Sequence, residues 1–457
     1  MKAFPVQTAL TLLLLAALLW GARRVQPAIQ GPTPAQFAAI VDFDPARTPL
    51  SPLLRHEDPA PLAPEPSFGR PGAPALLEDA SGVLDHFYAA LWRTEKKQPG
   101  AVTRIVHYGD SPTTADLITG DVRAILQSRY GDAGHGFVLI DRPWAWYQHT
   151  GVRISGSGWD MSRSTSYESH DGLFGLGGVS FAGAAGASSK IVYSSPGHNH
   201  FEIWFLKQPG GGWLSVTGDG KHLGTLDTSA DRKTPGFASL LAPAGVRTLE
   251  LRVERPPVRV FGVIAEKPGP GVVYDTLGLN GASINVLALI MNADHWAAEL
   301  RQRHPDLVIV NYGTNEADFP AFVDTHYEKE LREAIRRLRA ALPETSLLIM
   351  SPMDRGYKTG PGEIATMPTI PRIVELQRRV ARETGCGFFD TFQAMGGEGT
   401  MARWYAAQPR LVSADFIHPY PAGGKMIATT FTREIVSGLN RYSLRESAKM
   451  DTSTHKQ

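Results

Sequence analysis

An α/β fold interrupted by an all-β region is what the 457-residue sequence predicts, and three observations carry it. Hydrophobic runs of strand length alternate with amphipathic stretches of helix length in two separated parts of the chain, the rhythm of a parallel sheet with helices on both faces. Between those parts, from about Trp144 to Glu266, short alternating runs are separated by Gly, Pro, Asn and Asp, the texture of a β-sandwich. Finally, the candidate reactive residues cluster where strand-like runs give way to turns.

The elements follow in order. "MKAFPVQTALTLLLLAALLWGARRV" has a charged start, an apolar run from Ala9 to Leu19 and then Arg23 and Arg24. Residues 1–29 therefore read as a signal peptide or membrane anchor, cleavage remaining open, and the rest is expected to be exported to the periplasm or cell envelope. Residues 30–80, dense in Pro and Ala, read as an extended linker. Behind Ser81, the spacing of Leu84, Phe87, Tyr88, Leu91 and Trp92 predicts a core-facing helix. "TRIVHYG" is a buried strand, and "TTADLITGDVRAILQSRYG" a helix ended by Gly131. After the β-rich stretch come helix 285–303 and strand "DLVIVNYG", helix 326–341 and strand "SLLIMSP", helix 370–384 and "GFFDTF", and a last helix over about 423–440. Residues 81–143 and 267–445 thus form one discontinuous α/β domain, 144–266 an insert and 446–457 a flexible tail. The insert is expected to be a compact excursion with neighbouring ends, removable without loss of the α/β site.

Composition excludes several function classes. Lys plus Arg number 46 against 45 Asp plus Glu, so the net charge of +1 gives no reason to expect nucleic acid. The single cysteine, Cys386, forms no internal disulfide and reads as a buried structural thiol. HExxH and a Cys/His framework are absent, "GHNHFE" at 197–202 reads as an exposed strand face, and no metal or organic cofactor is expected. "RRLR" at 336–339 reads as a solvated helix face.

The chemistry starts at "IVHYGDSPTTADLITGDV", residues 105–122. A serine at the carboxyl end of an open-sheet strand faces the crevice where such folds bind ligands. Ser111 or Thr113 could equally cap the following helix. Other residues decide between these readings. "NYGTNEAD" puts Asn315 at another strand's carboxyl end. "LGLNGAS" sets Gly281 before a helix, where backbone N–H groups are free to meet negative charge. "SADFIHPYPAGG" places Asp415 three residues before His418, a spacing that lets a carboxylate hold one imidazole nitrogen while the other faces a serine. G-x-S-x-G is absent, so an α/β-hydrolase elbow is not available.

As a set, "GDSPT", "GLNGAS", "GTNEA" and "DFIHP" resemble the four signature blocks of the SGNH/GDSL hydrolases over residues 103–141 and 271–440. The resemblance implies a flavodoxin-like parallel sheet, Ser111 as nucleophile, His418 as general base and Asp415 as its orienter. It further implies an oxyanion hole of the Ser111 and Gly281 N–H groups and the Asn315 amide. Glu316 stands where the third block usually has Asp, which bears on local orientation. With a sandwich between its first two blocks, the chain is similar to bacterial peptidoglycan and polysaccharide O-acetylesterases and O-acetyltransferases, whose insert resembles a carbohydrate-binding module. Trp144, Trp146, Tyr147, Trp159, Trp204 and Trp213 could stack on sugars or fill a core. The expected function is removal of O-acetyl groups from acetylated glycan or peptidoglycan through an acyl-Ser111 intermediate. An O-acetyltransferase would share that intermediate but need a membrane partner to deliver the acyl donor. A lipase or thioesterase would be expected to show an apolar lid. A non-catalytic glycan-binding protein is the alternative of another class.

Overall fold

The computed structural model describes residues 75–166 and 171–454; the predicted targeting segment and the linker up to residue 74 lie outside the described residues. The chain opens with β1 (Leu77–Glu78), α1 (Asp85–Glu95), β2 (Val102–Gly109), α2 (Ser111–Thr114), α3 (Thr119–Tyr130) and β3 (Gly134–Val138). The β-rich region continues through β4 (Val152–Arg163), β5 (Val179–Tyr193), β6 (His198–Lys207), β7 (Trp213–Gly218), β8 (Lys221–Asp227), β9 (Thr234–Val246), β10 (Thr248–Arg255) and β11 (Val258–Glu266). The α/β rhythm resumes with β12 (Gly271–Gly278), α4 (Ala293–Arg303), β13 (Leu307–Asn311), α5 (Glu328–Ala341) and β14 (Ser346–Met350). A hairpin of β15 (Gly356–Gly360) and β16 (Glu363–Thr366) follows, then α6 (Thr369–Thr384), β17 (Gly387–Phe389), α7 (Thr391–Ala394), α8 (Thr400–Ala406) and α9 (Pro421–Thr454).

The main sheet has the order β1-β17-β14-β13-β2-β12, parallel except for β1, which pairs antiparallel with β17. Taken in chain order, its five parallel strands lie 2-1-3-4-5, the flavodoxin-like arrangement, whose order reverses between β2 and β13. Strand alternation sends Val106 and Tyr108 of β2 to one face and Ile105 to the other. The first face is covered by Trp296, Leu331, Ile335 and Ile373 from α4, α5 and α6. The second is covered by Phe87, Leu91, Val122, Leu126, Phe431 and Ile435 from α1, α3 and α9.

The insert is a nine-stranded antiparallel sheet in which β5 and β11 change neighbours along their length: β5 pairs with β11 at Phe181–Gly183 and with β10 beyond Ser188. Its ends are neighbours, because β3 pairs with β11. The insert does not own a separate core, however. Phe137, Trp204, Val216 and Leu251 belong to the same buried cluster as Val106, Val308 and Trp296 of the α/β layer, and all described residues fall in one compact unit.

Several sequence expectations need correction. The fold already includes β1, upstream of Ser81, because Leu77 pairs with Phe389. The antiparallel sheet also starts before Trp144, at β3. Of the predicted flexible tail, residues 446–454 are helical: α9 runs to Thr454, and Arg445 just before the tail pairs with Asp85 of α1. The predicted helix 285–303 breaks at Met291, since Asn292 caps α4 by accepting from His295 N at 3.1 Å. In "RRLR", Arg337 is buried and donates to the Leu287 and Met291 carbonyls that this break leaves open. In "GHNHFE", His198 is fully buried with its Nε2 2.9 Å from His135 Nδ1, so the strand face is not exposed there. Cys386, by contrast, is buried as expected, and that burial raises its thiol pKa.

Candidate active site

The nucleophile candidate is positioned by a steep exit from β2. After Gly109 the chain turns at Asp110 and enters α2, whose first residue is Ser111. The approach is close enough to demand glycine twice: a Cβ on Gly109 would lie 2.2 Å from Thr113 Oγ1, and one on Gly278 of β12 would lie 2.0 Å from Thr114 N. Behind the turn, buried Asp116 accepts from Arg123 at 2.5 Å, Thr119 at 2.6 Å and Thr150 N at 2.7 Å. Burial acts to raise the Asp116 pKa, but the Arg123 guanidinium and these hydrogen bonds hold it well below the carboxylate range.

The Ser111 side chain caps nothing in α2. Its Oγ lies 2.7 Å from His418 Nε2, and His418 Nδ1 lies 2.7 Å from Asp415 Oδ2. Residues 307 positions apart thus form one hydrogen-bonded chain. The Asp415–His418 loop is held by its own backbone: Ser413 N donates to His418 O at 2.9 Å and Tyr420 N to Leu411 O at 2.8 Å. Phe416 adopts a left-handed φ of 59°, uncommon for a bulky residue, and packs edge-on against Tyr405. This turn lets Asp415 reach back to the imidazole. Burial opposes ionisation of Asp415, yet hydrogen bonds from Ser413, His418 and the Ile417 N–H outweigh it and hold the carboxyl at about 2. With Nδ1–H donated to that carboxylate, Nε2 is left to accept the serine proton.

Gly281 and Asn315 come to the same end of the sheet. Leu279 N donates to Gly109 O at 2.9 Å, fixing the second block against the first. Gly281 takes a left-handed φ of 71° in a turn ahead of residue 286, so it does not sit at a helix N-terminus as expected. Among the described residues its N–H, like that of Ser111, has no protein acceptor. Asn315 Nδ2 donates to Ala282 O at 2.7 Å, which uses one amide proton and leaves the second available.

Three residues around these positions carry more than sequence reasoning gave them. Glu316 is buried and accepts from Ile284 N at 2.8 Å and Gly313 N at 3.0 Å; burial pushes its carboxyl up to about 7 against those bonds. Asp110, buried between β2 and Ser111, is pushed up to about 6 by burial, opposed by the Thr314 hydroxyl and His418. Arg355 donates to Thr314 O and Asp318, holding the third block's loop from beyond β14. Asp110 could have been noticed as the acid of "GDS"; Arg355 has no sequence signal.

The arrangement can activate a hydroxyl and stabilise an oxyanion beside it. Among the described residues, no group of three or more His, Cys, Asp or Glu side chains is placed to hold a metal ion. Of the aromatic residues considered as sugar platforms, Trp144, Tyr147, Trp159 and Trp204 are core, while Trp146 and Trp213 are 48% and 47% exposed.

Residues 239–426 match the model of the GDSL-like lipase/acylhydrolase family. The matched stretch includes Gly281, Asn315, Asp415 and His418; Ser111 precedes it in sequence and joins it in space. A peptidoglycan O-acetylesterase structure is similar to this chain at a TM-score of 0.68, with 24% identity over 80% of this chain and 100% of that one, a likeness of fold. A GDSL-like lipase from Parabacteroides merdae aligns over 37% of this chain and 74% of its own at 19% identity and a TM-score of 0.28. An active-site mutant of a family two carbohydrate esterase from Clostridium thermocellum aligns over 63% and 99% at 13% identity and a TM-score of 0.27. No curated protein sequence matches the chain.

Proposed function

We propose that this chain, whose residues 239–426 match the GDSL-like lipase/acylhydrolase family, is a serine esterase that removes O-acetyl groups from an envelope or extracellular glycan. The observation that carries the reading is the Ser111–His418–Asp415 chain, with both links at 2.7 Å, at the point where the strand order reverses. Ser111 Oγ attacks the acetyl carbonyl as His418 Nε2 takes its proton. The Ser111 and Gly281 N–H groups and Asn315 Nδ2 receive the oxyanion. The imidazolium then protonates the departing sugar oxygen, leaving acetyl-Ser111. Water, deprotonated by the same imidazole, attacks that ester, and acetate and free Ser111 return. The apolar N-terminal run, with arginines beyond it, supports an extracytoplasmic site of action.

The test is acetate release from O-acetylated peptidoglycan and acetylated xylan by the full chain and by Ser111→Ala. Release by the wild type, persisting in EDTA and abolished by the substitution, is the expected result. Acetyl transfer to an added sugar acceptor in place of acetate release would identify a transferase. Failure on every acetylated glycan, with turnover of p-nitrophenyl acetate intact, would remove the glycan as substrate.

A further inference from the structure

One loop that joins the β-rich region to the active-site elements, residues 139–150, presents an exposed tryptophan. Trp146 is 48% exposed, whereas its neighbours Trp144 and Tyr147 are buried anchors. The loop is closed by Tyr147 N donating to Trp144 O at 3.0 Å and by Leu139 N donating to Tyr147 Oη at 3.3 Å. It is fastened to the reactive elements at two points. Gln148 N donates to Thr114 O at 3.1 Å, the last residue of the helix that starts at Ser111. Trp146 Nε1 donates to Asn280 Oδ1 at 3.2 Å, and Asn280 immediately precedes Gly281, itself exposed.

An indole left half in water loses the stabilisation that burial would give it, and a hydrogen bond to a side-chain amide does not require that exposure. The bond instead fixes the ring to the residue that precedes Gly281. A rigid aromatic surface held in place before binding offers an apolar face at little ordering cost. The group adjoining the acetyl carbonyl in the substrate is the sugar ring, whose axial C–H face is the apolar surface such an indole can cover. We infer that Trp146 is a specificity residue that packs against the sugar bearing the scissile acetyl group. The inference rests on the glycan-esterase reading above. It gives the inserted region a direct part in substrate choice through one side chain rather than through a remote binding module.

The test compares wild type, Trp146→Ala and Trp146→Phe on acetylated xylan, O-acetylated peptidoglycan and p-nitrophenyl acetate, reading the ratio of kcat/KM on glycan to that on the small ester. In Trp146→Ala the ratio should fall about tenfold or more through a raised KM, as for truncation of a buried aromatic contact, and Trp146→Phe should recover most of it. An unchanged ratio in both variants overturns the inference while leaving the esterase reading intact. Parallel loss on glycan and small ester, with Phe no better than Ala, overturns it too, by showing that Trp146 only supports the loop. A wild type idle on both glycans but active on p-nitrophenyl acetate removes the glycan reading and this inference with it.

Discussion

The Glu316 carboxylate accepts the backbone N–H of Ile284 at 2.8 Å across 32 positions of sequence, while its other oxygen takes the N–H of Gly313 at 3.0 Å. One buried side chain therefore sets the register between the segment carrying Gly281 and the loop carrying Asn315. Glutamate, one methylene longer than the aspartate usual at this place, spans both donors here.

Replacing it tests that bridge. In Glu316→Gln one amide oxygen can still accept, but the NH2 group must face an N–H donor, so one buried donor loses its partner at a cost of about 1–3 kcal/mol. The pH dependence has a definite sign. Glu316 is an acid whose folded pKa, about 7, lies above its unfolded value of 4.5. Its burial destabilises the fold above pH 7, and the penalty is relieved as pH falls from 7 towards 4.5, because the folded state takes up the proton first. Between pH 8 and pH 5 this relief amounts to roughly 2–3 kcal/mol. Urea unfolding at the two pH values should show that contribution in the wild type and its disappearance in Glu316→Gln. Equal pH responses in the two proteins would show that the carboxyl does not titrate in this range.

Asp415→Asn should be more damaging than the loss of one charge suggests. Oδ1 already receives Ser413, Ile417 N and His418 N, so the amide oxygen will keep those three donors and the NH2 will face His418 Nδ1. The imidazole must then carry its proton on Nε2, the wrong tautomer to accept from Ser111. A fall in kcat on the order of 10⁴ is expected, with KM for p-nitrophenyl acetate little changed. A fluorophosphonate probe should label Ser111 in the wild type, far more slowly in this variant, and not at all in Ser111→Ala. Undiminished labelling of Ser111→Ala would point to another nucleophile.

Asn315→Ala removes both the proposed oxyanion donor and the 2.7 Å link to Ala282 O. The expected loss is about 10²–10³ in kcat. If steady-state kinetics placed the whole effect in KM, Asn315 would be a binding residue only.

Much of this site was legible because its residues lie at strand ends. Ser111, Gly281 and Asn315 each follow a run of buried β-formers, and the sheet's parallel register delivers all three to one edge. Asp415 and His418 were legible by spacing alone, since a left-handed turn at Phe416 is needed to close that spacing and nothing in "DFIH" announces it. What was not legible depends on long-range contact. The bridge from Glu316 to Ile284 cannot be read from its place in the third block, Arg355 stands in no motif, and the buried residues His135, His149 and His198, which pack together, lie far apart in the chain. The insert was recognised by its strand texture, but texture cannot say whether its apolar face closes on itself or on the neighbouring layer.

It closes on the neighbouring layer, and Arg303 marks the joint. At the end of α4 this buried guanidinium donates to Glu266 of β11 at 2.7 Å and to Asp275 of β12 at 2.5 Å; Arg104 of β2 adds two bonds to Glu266, at 3.0 and 2.8 Å. Burial acts to raise the Glu266 pKa, but Arg303 and Arg104 together hold it at about 2. Arg303→Met keeps the stem and removes the charge, leaving Asp275, fully buried, with only the Phe137 N–H at 2.7 Å. A loss of about 3–5 kcal/mol is expected, as for one partner taken from a buried ion pair. Because the hydrophobic cluster runs unbroken from Val308 to Trp204, the loss should appear as one earlier urea transition, with tryptophan fluorescence and far-UV circular dichroism coincident. Excising residues 144–266 should likewise yield a chain that does not fold cooperatively and has no activity on p-nitrophenyl acetate. Two separate transitions, or an excised protein that folds and retains esterase activity, would show that the inserted region is an independent module after all.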